Sequence, residues 1–66
     1  MPFRVYVRQH DGGRMSHLTY HQTPEAARAA FEALKARIDL RGESCSAVMK
    51  PPLDHMPREE HRFDRD

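Results

Sequence analysis

With 66 residues, 32% of them charged, and a formal net charge of +1 with histidines neutral, the chain has room for one small domain and a modest core, not for two lobes around a cleft. Near-balanced charge argues against a protein that coats nucleic acid, and no apolar run approaches the roughly 20 residues needed to span a bilayer. The lone Cys45 cannot form an intramolecular disulfide, and the start Met1-Pro2-Phe3-Arg4 lacks a secretory apolar stretch, so the expected setting is the cytoplasm.

In chain order, Phe3-Arg4-Val5-Tyr6-Val7-Arg8 and Ser16-His17-Leu18-Thr19-Tyr20-His21 alternate apolar and polar residues on either side of Asp11-Gly12-Gly13-Arg14, which predicts a β-hairpin. A two-residue loop at Gly12-Gly13 pairs Val7 with Leu18 and Val5 with Tyr20; a loop at Asp11-Gly12 pairs Val5 with Leu18 and Phe3 with Tyr20. Either register puts Phe3, Val5, Val7, Leu18 and Tyr20 on one face and Arg4, Tyr6, Arg8, His17, Thr19 and His21 on the other. A three-residue loop would set Val7 against His17, an apolar residue against a polar one, and is rejected.

Thr23-Pro24-Glu25 reads as a helix start, with Thr23 as N-cap and Pro24 at the first helical position. Ala27, Phe31, Leu34 and Ile38 recur at helical spacing, predicting an amphipathic helix from Pro24 to about Leu40, with Gly42 as a left-handed stop. Ser44-Cys45-Ser46-Ala47-Val48-Met49 predicts a third strand, lying beside the first through a right-handed crossover. The expected fold is α+β: a single-domain ββαβ unit with a three-stranded antiparallel sheet in the order 2-1-3 and one helix on one face. This unit would occupy residues 1–50; residues 51–66, rich in proline and charge, read as a tail that is disordered or marginally helical.

No catalytic or cofactor signature stands out. His17 and His21 have a spacing that converges on a metal only in a helix; in a strand they are separated by about 13 Å. Neither a metal site nor a cofactor is expected. Cys45 lacks the low-pKa surroundings that a nucleophile needs and reads as a small group packed between sheet and helix. Enzymatic activity is not expected.

The uncovered sheet face is the functional candidate, because tyrosine and arginine anchor protein interfaces and can also meet nucleic acid. The expected contact residues are Arg4, Tyr6, Arg8, His17 and His21, with Arg14 at the hairpin tip. Three histidines, His10, His17 and His21, lie on or near the hairpin, and the sequence does not say whether they serve as a pH sensor. The segments Phe3–Val7, Asp11–Arg14, Leu18–Tyr20 and Thr23–Ala27 resemble the hairpin-then-helix layout of the arm-type DNA-binding domains of phage and transposon integrases. Those domains place three strands before the helix, whereas this chain reads as two before and one after. In size the chain is similar to small prophage and plasmid proteins that inhibit host defence, including anti-CRISPR proteins. The resulting expectation is a non-enzymatic module docking on a larger protein through the exposed sheet face, in the manner of an accessory or inhibitor protein of a mobile element. Direct nucleic-acid binding by the same basic face is the alternative, and self-association through the uncovered face or the exposed edge of the second strand is a third reading.

Overall fold

The structure, a computed structural model, describes residues 2–53 and 55–65. Strands β1 (Phe3–Gln9) and β2 (Met15–His21) form the hairpin, followed by helix α1 (Pro24–Lys35), a 3-10 turn at Ile38–Leu40, strand β3 (Cys45–Lys50), strand β4 (Glu59–Arg62) and a second 3-10 turn at Phe63–Arg65. All neighbouring strands are antiparallel. The expected α+β architecture with one helix on an antiparallel sheet is present, but the sheet has four strands, in the order β2-β1-β3-β4, and not three.

The fourth strand corrects the reading of the tail. Its residues alternate: Glu59 and His61 stand opposite Met49 and Ala47 on the helix side, Glu60 and Arg62 opposite Val48 and Ser46 on the other. Phe63 then enters the core with no exposed surface, its ring edge-on to His61 at 5.1 Å between centroids. One buried aromatic ring supplies the apolar area that a polar segment lacks by itself. The described part of the tail therefore completes the domain; residues 54 and 66 of it lie outside the described residues.

The hairpin also departs from both expected registers. Gln9 N–H donates to the Arg14 carbonyl (2.7 Å), enclosing a loop of residues 10–13 in which Gly12 and Gly13 take positive φ. Arg8 opposes Met15 and Val7 opposes Ser16, but Val5 opposes Thr19, so β2 spends two residues, His17 and Leu18, where β1 spends Tyr6. His17 sits at φ +57°, the left-handed conformation that begins one type of β-bulge. Beyond the bulge every β2 side chain changes face. Tyr20 opposes Arg4 and is 59% exposed, and Thr19 and His21 oppose Val5 and Phe3 on the helix side.

Helix α1 begins as expected, with Thr23 Oγ1 accepting from Ala26 N–H at 3.2 Å, but it stops at Lys35. Arg37 is extended, and the following turn buries Leu40 while leaving Ile38 79% exposed. Leu40 thus takes the place expected for Ile38. Gly42, at φ +81°, ends this turn rather than the helix, and its N–H donates to the Phe63 carbonyl at 2.9 Å. The core between helix and sheet joins Val5, Val7, Ala27, Phe31, Leu40, Cys45, Ala47, Met49 and Phe63.

Candidate functional site

The sheet face turned away from α1 is built by register. One row across it runs Met15, Arg8, Ser46, Arg62; the next runs Tyr6, Val48, Glu60; a third runs Tyr20, Arg4, Lys50. Tyr6 and Val48 are nearly buried although no helix lies over them, at 8% and 1% exposure. Tyr20 and Met15, by contrast, stand 59% and 55% exposed at the β2 side of the same face.

Of the expected contact residues, Arg4, Tyr6 and Arg8 share this face, and Tyr6 lies within it rather than on it. His17 occupies the bulge, with Nδ1 3.0 Å from Ser16 Oγ. His21 is on the helix side, its Nε2 2.8 Å from Thr19 Oγ1. Arg14 lines a shallow cleft at the hairpin tip with Gln9 and Ser16, residues of the helix-facing side. Sequence reasoning missed Met15, Tyr20, Lys50, Glu60 and Arg62. The run Glu59-Glu60-His61-Arg62 is polar throughout, so no alternation signalled the last two.

At the hairpin end of the face, an open cleft of about 250 Å³ is lined by Arg8, His10, Glu60 and Arg62. His10 Nε2 lies 2.7 Å from Ser46 Oγ, while its Nδ1 is 3.9 Å from Asp64 Oδ2, too long for a hydrogen bond. Arg62 holds Asp64 with two nitrogens, at 3.2 and 2.8 Å, and keeps its carboxyl below the usual carboxylate range. Serine, histidine and aspartate in this sequence invite a nucleophilic reading, but Ser46 has no exposed surface, so a substrate carbonyl has no path to its oxygen. The His10–Ser46 hydrogen bond ties the chain just beyond β1 to β3. Arg8 is less well matched. Its terminal nitrogen is 3.9 Å from Glu60 Oε2, and its Nε is buried without a hydrogen-bond partner.

On the opposite side, Arg28 of α1 grips the Glu59 carboxylate with both terminal nitrogens, clamping the helix to β4. Between α1 and β2 a largely apolar groove of about 360 Å³ is lined by His17, Leu18, Thr19, Ala30, Ala33, Leu34 and Arg37. Leu18, expected in the core, is 39% exposed there. Cys45 is fully buried in the core; burial pushes its thiol pKa up, and nearby Glu43 and Asp64 add to the shift, the opposite of nucleophile activation. Among the described residues, no group of three or more His, Cys, Asp or Glu side chains is placed to hold a metal ion, and no helix is long and apolar enough to cross a membrane. No protein-family model, curated protein or solved structure matches the chain.

Proposed function

We propose that this chain is a stoichiometric, non-catalytic binding module that docks on a larger protein through the face of Arg4, Arg8, Met15 and Tyr20. The observation that carries the reading is the exposure of Tyr20 and Met15, each more than half open to water, on the same face as two arginines. Aromatic, methionine and arginine side chains are the types enriched at the centres of protein interfaces, because they combine area with hydrogen bonding.

Nucleic acid is the weaker reading. Arg62 is already matched by Asp64, and Glu60 sits among the remaining cations, which lowers the field that phosphates would meet. A cytoplasmic setting, with Cys45 reduced, belongs to the same proposal.

The test is affinity capture from the source cells with the wild-type chain, an Arg4→Glu/Tyr20→Ala double variant, and Ala29→Glu on the exposed side of α1 as control. The reading expects a protein retained by wild type and control and lost by the double variant, and only weak, salt-sensitive retention of DNA or RNA. Equal retention by all three chains, or nucleic acid as the retained partner at physiological salt, would overturn it.

A further inference from the structure

We infer that the chain forms a two-fold homodimer in which Ile38 of each copy seats in the groove between α1 and β2 of the other. The groove, of about 360 Å³, is walled largely by apolar carbon from Leu18, Ala30, Ala33 and Leu34. Leu18 is 39% exposed there, so the groove holds apolar surface in water, which is unfavourable until something apolar covers it. Its polar side chains already have partners within the chain: His17 with Ser16, Thr19 with His21, and Arg37 with Asp39 through two nitrogens. A polar ligand finds little there to orient it, which selects an apolar occupant.

Ile38 is that occupant. At 79% it is the most exposed large apolar side chain among the described residues, because the turn after α1 buries Leu40 in its place. It stands at the groove's end: Arg37, on one side of it, lines the groove, and Asp39, on the other, is within electrostatic reach of His17 in the groove wall. Ile38 does not cover its own groove, since its side chain remains open to water. A patch with an apolar knob beside an apolar hole is self-complementary, because one two-fold rotation places each knob in the other copy's hole. The flanking Arg37–Asp39 pair, at 3.0 and 2.9 Å, is neutral, so two copies approach without net repulsion. It also holds the turn in shape before association. The groove lies on the helix side, so the dimer leaves the face of Arg4, Arg8, Met15 and Tyr20 free.

The experiment measures the mass of the full chain by sedimentation equilibrium at physiological salt, from micromolar to millimolar concentration, for the wild type, Ile38→Asp and Ala33→Glu. Isotope-filtered NOEs on a mixture of labelled and unlabelled wild type then report which methyl groups meet between copies. The expected result is a mass that rises from monomer to dimer and no further, with contacts between Ile38 of one copy and Leu18 and Leu34 of the other. Ile38→Asp is expected to weaken association at least about tenfold, since each dimer loses two buried isoleucines, and Ala33→Glu to weaken it by blocking the groove. Both positions are exposed, so both variants are expected to fold, which their amide spectra check. A mass that stays monomeric at millimolar concentration, or a dimer unchanged by both substitutions, would overturn the inference. Contacts between copies confined to Met15 and Tyr20 would overturn it as well.

Discussion

His17 shows how one residue redirects a surface. At φ +57° its backbone lies where a Cβ crowds the neighbouring carbonyl, a cost of roughly 1–2 kcal/mol for an ordinary L-residue and less for those that visit this region locally. That conformation lets β2 absorb an extra residue, and the extra residue puts Tyr20 beside Arg4 instead of under the helix. Replacing His17 with valine, whose branched Cβ is least tolerant of positive φ, is expected to lower the urea midpoint by the equivalent of about 1–2 kcal/mol. Replacement with glycine is expected to leave the midpoint nearly unchanged. Equal effects of the two substitutions would show that the bulge is not held in this conformation in solution.

At the scale of elements, β4 and the turn after it close the domain. Glu59 is clamped by Arg28, the Phe63 carbonyl accepts from Gly42, and the Phe63 ring fills the core without exposed surface. Phe63→Ala is expected to cost about 3–5 kcal/mol, comparable to the whole stability of a domain of this size; circular dichroism should show no cooperative thermal transition. A sharp transition near that of the wild type would mean that residues 59–65 are not part of the folded unit.

The same elements show what was legible in the sequence and what was not. The α1 cap at Thr23, the strand around Val48 and the core role of Cys45 follow from local chemistry and periodicity, and the structure places each accordingly. The bulge was illegible because nothing at His17 announces positive φ, and strand registers counted from the turn assume that none intervenes. The fourth strand was hidden by its composition. Charged residues on both faces of Glu59–Arg62 look solvated until Arg28 and Phe63 arrive from elsewhere in the chain. His10, Ser46 and Asp64 meet only through sheet topology, so no spacing in the sequence could have grouped them. Half of the expected contact set, Arg4, Tyr6 and Arg8, shares the open face because β1 alternates without interruption. His17, His21 and Arg14 fall elsewhere because they lie at or beyond the two irregularities, the bulge and the loop.

For the whole molecule, the two-layer build divides labour between faces. Helix α1 seals one side of the central strands, and the other carries charge, an exposed tyrosine and an exposed methionine. The edges are poorly suited to adding further strands: β2 is interrupted by its bulge, and β4 is short and charged, both devices that discourage edge pairing. Edges guarded in this way discourage self-assembly through the sheet. The most direct test is the amide spectrum of isotope-labelled protein in an unlabelled lysate of its source cells, recorded before and after nuclease treatment. The account predicts selective loss of intensity at Arg4, Arg8, Met15, Tyr20 and Lys50 that nuclease does not reverse and that the Arg4→Glu/Tyr20→Ala variant abolishes. Losses confined to α1 and its groove, or losses that nuclease restores, would contradict it.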